Sequence, residues 1–474
     1  MKKFIFITIL TLTICHSFGQ QVQFIKYYGD GCPDFGLSLD TTVDGGYILL
    51  GHTQNFGALV QDMYLIKVDS LGSLQWQKLF GGAGLDFGQC IRQTADKGFI
   101  LCGFTNSSGA GGYDIYLVKT DSLGNFQWQQ TYGGNSDDYG YCVKQTSDNG
   151  YIICGSTKSF GSGNIDAILI KTDSSGNQQW SKYYGGTGND GVYSLDITND
   201  GGYMLAGYTY NFGALSDDAM LIKTDSSGNQ QWLKIYGGTN SDRVLSVKQC
   251  PDKGYCAAGY TNSFGNGSSD MYLIRTDSAG NMGYYKTYGG IQTEKAYSID
   301  VALDKGFILA GQTNSFGAGN DDMYIVKTDS VGNMDWQKFF GGAENDEGFT
   351  VKATDDKSYI AIGNTYSFSY NSGYSDVYLV KMDSTGYAVG VNEFNKNGIN
   401  ISIYPNPTKG KLFIESMDNE AEFISVINIY GQTVYQRAIS RGQTEIDISD
   451  FANGFYLFKV TIGQNSYVKK IIKE

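Results

Sequence analysis

The stretch that decides the fold runs from Asp138 to Gly186: DYGYCVKQTSDNGYIICGSTKSFGSGNIDAILIKTDSSGNQQWSKYYGG. It holds short alternating or apolar runs, separated by turns at DNGY (Asp148–Tyr151) and SSGN (Ser174–Asn177) and by a Gly-rich loop ending at Asp166. Runs of this length bounded by Gly, Asn, Asp and Ser are strands, because those residues accept turn conformations that strand residues do not. The stretch recurs. The Asp that closes each LIKTD-type run stands at Asp69, Asp121, Asp173, Asp225, Asp277, Asp329 and Asp383, with five spacings of 52 residues and a last one of 54. A fixed period of this size is the signature of a repeat architecture.

Each unit reads as four strands joined by short turns, hence an antiparallel meander. Tyr193–Thr198, Tyr203–Thr209, Ala219–Asp225 and Gln231–Gly238 are one set. Seven meanders placed radially make an all-β, seven-bladed β-propeller. The ends are complementary. After Val377–Asp383 the last unit lacks its Trp-bearing fourth strand, while Val22–Asp30 (VQFIKYYGD) fits that strand with Phe24 in the Trp place. The first strand is therefore expected to complete the last blade and leave no open edge. Trp76, Trp128, Trp180, Trp232 and Trp336 mark the fourth strand; recurrence in nearly every unit argues for packing over sugar binding.

Residues 1–19 read as a secretory signal peptide: Lys2 and Lys3, an apolar run from Phe4 to Cys15, and small Ser17 and Gly19 before a cut at Gln20. No later run is long and apolar enough to cross a bilayer. The net charge of −13 argues against nucleic acid as a partner. Seven cysteines follow the leader. They read either as small residues in a tight sheet or as hairpin bridges Cys90–Cys102, Cys142–Cys154 and Cys250–Cys256, the first reading being preferred.

One first-strand position carries charge in every unit: Asp40, Arg92, Lys144, Asp196, Lys248, Asp300 and Lys352. The residue before it is always apolar, so the two sets face opposite ways. If this strand is innermost, the charges ring the central channel, and only Arg92 and Lys144 are like neighbours. An interblade ion-pair ring is the simpler reading; an anion site at Arg92 and Lys144 is the functional one.

Two families of acids are assigned to loops on one face. Asp34, Asp86, Asp138, Asp190, Asp242, Glu294 and Asp346 join blades; Asp62, Asp114, Asp166, Asp218, Asp270, Asp322 and Asp376 precede third strands. Beside glycines they are candidate ligand or Ca²⁺ contacts, although no EF-hand spacing is present. Holding turns through backbone N–H groups explains them as well. Enzyme motifs are nearly absent. His52 is the one histidine after the leader, which excludes His-cluster metal sites. Carboxylate-only glycoside chemistry stays open, with no pair singled out. No cofactor is indicated otherwise.

Residues 390–400 read as a linker, and 401–474 as a small Ig-like β-sandwich of about seven strands. Within it Tyr404, Pro405, Asn406, Pro407 and Gly410 (YPNPTKG), Tyr430 and Gly431 (IYGQTV), Gly454 and Tyr456 (NGFYLFKV), and Lys469-Lys470 stand in a pattern that resembles the type A sorting domain of Bacteroidetes type IX secretion. That resemblance implies export to the outer cell surface by the type IX machinery, with the tail commonly removed there. Residues 20–389 more loosely resemble Kelch-like and related bacterial secreted propellers. Together these features give the expectation of a secreted or surface non-enzymatic binding or adhesion protein, with an extracellular protein or glycan as ligand. The alternative is a carbohydrate-active enzyme or glycan binder using loop-face carboxylates and aromatics. Near-constant repeat length favours the first, since enzymatic propellers need unequal insertions to build a pocket.

Overall fold

The computed structural model describes residues 23–473 except 30, 55–59, 212–215, 372, 389–400, 405–407, 417–420, 429–431, 439–441 and 463–464. The leader, the linker, Pro405–Pro407, Tyr430 and Gly431 thus lie outside the described residues.

Between Phe24 and Met382 the described residues form seven four-stranded antiparallel sheets and no helix. Six are sequential meanders, beginning at Asp34, Asp86, Asp138, Asp190, Asp242 and Glu294. They are called blades 1 to 6. The seventh takes Asp346–Ala353, Tyr359–Thr365 and Asp376–Met382, and is completed by Phe24–Tyr28. Phe24 pairs with Lys381 in the register that Trp76 keeps with Lys67 in blade 1. The first strands touch in cyclic order, that of blade 7 meeting that of blade 1, so the ring is closed. The architecture is a β-propeller.

Burial follows from this arrangement. Second and third strands lie between neighbouring blades and are covered on both sides, as at Tyr151–Thr157 and Asp166–Thr172, where every residue is buried. Their near-continuous apolar runs are what two covered faces require. Fourth strands are half exposed. Their Trp stands across the ladder from a Lys, as Trp128 does from Lys119. It meets the second-strand aromatic of the next blade: Trp128 on Tyr151 at 5.8 Å, Trp232 on Tyr255 at 5.9 Å, Phe24 on Tyr47 at 6.3 Å. Such pairs contribute about 0.5–1.5 kcal/mol each beyond their buried area. The turn of the next blade closes over the same ring. A Cβ on Gly124 would lie 2.6 Å from Trp76, and this glycine has φ +74°. The Trp therefore joins one blade to the next.

The first strands begin at the acid itself, three residues earlier than read from sequence at Tyr193–Thr198. Asp190–Ile197 is such a strand, and Asp190 is fully buried in it. Every first strand also carries a β-bulge, between Gly140 and Cys142 in blade 3 and at the same place in the other six.

The C-terminal part forms a three-stranded sheet (Ile401–Tyr404, Lys411–Ser416, Gly442–Asp447) and a four-stranded one (Ala421–Ile427, Thr433–Ala438, Gly454–Ile462, Asn465–Lys473). Leu412, Ile424, Val426, Ile446, Ile448, Phe458 and Ile471 form its core. This is the β-sandwich read from sequence. Tyr456 packs on Phe451 and donates its hydroxyl to Ala452 O at 2.9 Å. Gly410 and Gly454 stand at φ +149° and +150°. Tyr404 ends the first strand, and Lys469 and Lys470 lie in the last.

Candidate functional site

The bulge decides what the channel contains. It adds one residue to each innermost strand and turns that residue inward. The extra residues are Leu37, Gln89, Tyr141, Tyr193, Leu245, Tyr297 and Phe349. Two residues nearer the acid-bearing end lies a second tier: Phe35, Phe87, Tyr139, Gly191, Arg243, Lys295 and Glu347. Deeper lies the charged ring. A central cavity of about 510 Å³ runs through these levels. Sequence reasoning found the ring and missed the bulge tier. Seven equally spaced positions of mixed type were the available signal.

The charged ring is tied between blades. Lys144 pairs with Asp196, Lys248 with Asp300 at 3.0 Å, and Lys352 with Asp40. Each Asp also accepts a backbone N–H from the following blade: Gln93 to Asp40 at 2.9 Å, Gln249 to Asp196 at 2.8 Å, Ala353 to Asp300 at 3.0 Å. Burial opposes ionisation of Asp40 and Asp300. The lysines, Arg92 near Asp40, and these N–H groups outweigh it and hold both carboxyls below the usual range. Three acids serve three lysines. Arg92 has no carboxylate within ion-pair distance among the described residues, and Nη1 donates to its neighbour's carbonyl, Ile91 O, at 2.5 Å.

Between blades 2 and 3, whose ring positions are Arg92 and Lys144, the strands are joined by sulfur. Cys90 Sγ lies 3.8 Å from Cys142 Sγ and accepts the Val143 N–H at 3.4 Å. In blades 1, 4, 5 and 6 Ser38, Ser194, Ser246 and Ser298 accept the equivalent N–H at 3.2 Å. The described cysteines are free; besides this interblade pair, Cys142 interacts with Cys154 and Cys250 with Cys256 inside their hairpins, unbridged.

The loop-face acids are occupied with the chain itself. Asp34, Asp86, Asp138, Asp190, Asp242 and Asp346 are fully buried. Asp138 Oδ2 accepts the Gly134 N–H at 2.8 Å and the Ser159 hydroxyl at 2.7 Å; Asp86 and Asp346 make the same pair of bonds. The second family starts the third strands and is equally buried. Asp114 and Asp322 accept N–H groups of the preceding loop at 2.9 Å. Each of these carboxyls lies beside one of the first family. Burial raises Asp62, Asp114, Asp166 and Asp270, and the neighbouring carboxylate adds to it. Burial and Asp346 carry Asp322 to about 6. Glycine separates the two acids: a Cβ at Gly133 would fall against Asp114 Oδ1 and 2.7 Å from Asp138 Oδ2. Among the described residues no group of three or more His, Cys, Asp or Glu is placed to hold a metal ion.

His52 lies between Phe35 (4.7 Å) and Phe87 (5.0 Å), and burial lowers it to about 4. It is a neutral ring in an aromatic stack. Across the mouth, Arg243 pairs with Asp217, donates to Tyr193 Oη at 3.2 Å, and covers the Tyr208 ring at 4.2 Å. The mouth is thus aromatic over blades 1 to 3 and charged over blades 5 to 7.

Comparison with known proteins bears chiefly on the tail. Residues 402–474 match the family model described as a secretion system C-terminal sorting domain. This supports the sorting domain read from sequence and marks the chain as a secreted, cell-surface protein. Curated relatives match weakly. Ulvan lyase NLR42 of Nonlabens ulvanivorans is 26% identical over 162 residues, 33% of this chain and 29% of that protein. Regulatory protein FlaEY of Caulobacter vibrioides is 24% identical over 176 residues, 33% of this chain and 18% of that protein. The chain spans less than a third of the length of either. Among solved structures, the extracellular domain of the one-component system BT4673 of B. thetaiotaomicron is 11% identical with a TM-score of 0.43, over 94% of this chain and 58% of that one. Puromycin hydrolase is 11% identical with a TM-score of 0.46, over 81% and 59%. BamB of Moraxella catarrhalis is 12% identical with a TM-score of 0.38, over 74% and 86%. No helix among the described residues is long and apolar enough to cross a membrane.

Proposed function

We propose that this is a non-enzymatic binding or adhesion protein of the Bacteroidetes, exported through the periplasm by type IX secretion after loss of a signal peptide, with a Kelch-like propeller as its recognition surface. The observation that carries the reading is the state of the loop-face acids. Acid–base chemistry needs a carboxylate free to reach substrate. Here the repeated acids are buried at the starts of strands, and His52 is stacked between rings. The near-constant 52-residue unit leaves no enlarged insertion to shape an asymmetric loop pocket. The central cavity, the aromatic mouth and the turns remain as surfaces for an extracellular protein or glycan. The reading involves no cofactor, and chelation of calcium is expected to leave thermal unfolding unchanged. A glycan array on the full chain, with a glycosidase and lyase screen, tests it: binding without turnover is expected, and release of products from any polysaccharide overturns it.

A second reading, a carbohydrate-active propeller, is favoured by the partial similarity to ulvan lyase and the aromatic lining of the cavity. The same screen decides between the two.

A further inference from the structure

The cavity has a composition the rest of the chain does not prepare. In a protein of net charge −13, six cations line it: Arg92, Lys144, Arg243, Lys248, Lys295 and Lys352. No Asp or Glu is among its lining residues. The ring acids lie behind the lysines, each held by an N–H of the next blade, so the cavity sees the cationic side of each pair. Arg92 adds a charge with no carboxylate within ion-pair distance among the described residues; Asp40 and Asp300 act on it only from farther off. A low-dielectric wall concentrates the resulting field, which strengthens attraction for an anion inside the cavity over one at the surface. A guanidinium is also the group best shaped to take a carboxylate or sulfate through two parallel N–H bonds.

The walls add a second requirement. Tyr141 and Tyr193 lie 5.1 Å apart on one side, and Tyr297 and Phe349 5.0 Å apart on the other. Rings of this kind give flat apolar faces with hydroxyls at their tips, suited to the faces and edges of a sugar. The volume of about 510 Å³ falls within the roughly 300–1,000 Å³ of small-molecule sites.

We propose that the central cavity binds the anionic unit of an acidic sugar, its carboxylate or sulfate seated at Arg92 and its ring between the Tyr141–Tyr193 and Tyr297–Phe349 walls. This rests on the binding-protein reading above and names the ligand class and the seat. It requires neither the loop-face acids nor a metal.

Titration calorimetry on the full chain tests it with four probes: D-glucuronate, glucose 6-sulfate, D-glucose and inorganic sulfate. One or both acidic sugars should bind at least tenfold more tightly than glucose and than inorganic sulfate, and the tighter of the two identifies the anionic group. Arg92→Gln should weaken that binding at least tenfold with an unchanged melting temperature. Gln89→Glu, which places a carboxylate in the bulge tier of the same strand, should do the same. It decides alone if Arg92→Gln fails to fold. The proposal is overturned if neither acidic sugar binds, if glucose or bare sulfate binds as well, or if a folded variant keeps wild-type affinity. An array hit that survives both variants would sink this seat and leave the binding-protein reading standing; polysaccharide turnover with these affinities intact would do the reverse.

Discussion

Acids repeat on both faces of the disc, and the two sets live in opposite electrostatic states. On the face where blades join, paired carboxyls such as Asp114 and Asp138 are buried without a Lys or Arg in ion-pair distance among the described residues, and burial raises Asp62, Asp114, Asp166, Asp270 and Asp322. On the other face each first turn carries an exposed Asp over a buried Lys or Arg of the third strand. Lys119 Nζ meets Asp96 at 2.9 Å and Thr120 O at 2.8 Å, and Lys171 meets Asp148 at 2.8 Å. Against burial, the hydroxyl and N–H of the turn and this ammonium hold Asp44, Asp148 and Asp200 at about 2. One repeat thus builds two kinds of carboxylate. The difference lies in whether a long cationic side chain reaches the acid or only backbone N–H groups and short hydroxyls do.

The largest effect expected is steric and separates the faces directly. Gly133→Ala forces a methyl between Asp114 and Asp138, and overpacking there should cost about 3 kcal/mol, read by urea unfolding. Gly98 on the other face is as crowded on paper, its Cβ falling against Thr120 O and 2.5 Å from Lys119 Nζ. Blade 7 shows the relief available: Ser358 holds that place, and Lys381 keeps 3.4 Å from Asp356 while bonding Tyr47 Oη and Thr354 Oγ1. Gly98→Ser should therefore cost about 1 kcal/mol; equal losses at Gly133 and Gly98 would erase the contrast.

Next comes Asp96→Asn, which leaves the buried Lys119 ammonium facing a neutral amide. A loss of about 1–3 kcal/mol is expected, at the lower end because the Asp side is half exposed. Asp121→Asn, in the exposed turn of the same blade, is the control and should cost less.

The pH profile sharpens the comparison further. Asp322 rises from 3.8 to about 6 on folding, so the folded chain binds the extra proton. Its contribution is present below pH 4 and is lost as pH rises through 6, which makes the loop face more stable in mild acid. Asp44, Asp148 and Asp200 work the other way: their contribution is present above pH 4 and is lost as pH falls toward 2. Melting temperature should peak between these windows. Asp322→Asn should flatten the limb above pH 5 and leave the acid limb alone; an unchanged upper limb would refute the assignment.

The smallest effect is expected midway between the faces. Cys90→Ser should change stability by under about 0.5 kcal/mol, because four other blades use Ser to accept the same N–H. A larger loss in thermal unfolding would show that the sulfur pair with Cys142 carries weight of its own.

The ring was legible because its signal is arithmetic: a constant period, and halves at opposite ends that complete one another. Phe24 in the place of Trp was enough to put the first strand against Val377–Lys381. The charged ring was legible through alternation, since Leu39 and Asp40 face opposite ways. Alternation also hid the rest. A bulge breaks the two-residue period at one position, so Tyr141, Tyr193 and Phe349 read as ordinary strand residues. The acids were placed in loops because Asp and Gly are turn formers. Nothing local reveals that Asp138 reaches back to Gly134 and across to Ser159 and is buried by doing so.

Closure has a consequence for how the molecule comes into being. Gln23 Nε2 donates to Asp383 Oδ2 at 2.8 Å across 360 positions of sequence, at the rim of a blade whose two parts are translated far apart in time. Until the seventh sheet exists, the earliest strand has no mate, and the incomplete arc exposes a bare β-edge to proteases and to other chains. Such distant pairing is slow to find. A copy that stops before the seventh sheet therefore lacks the mate of its first strand and leaves the ring open.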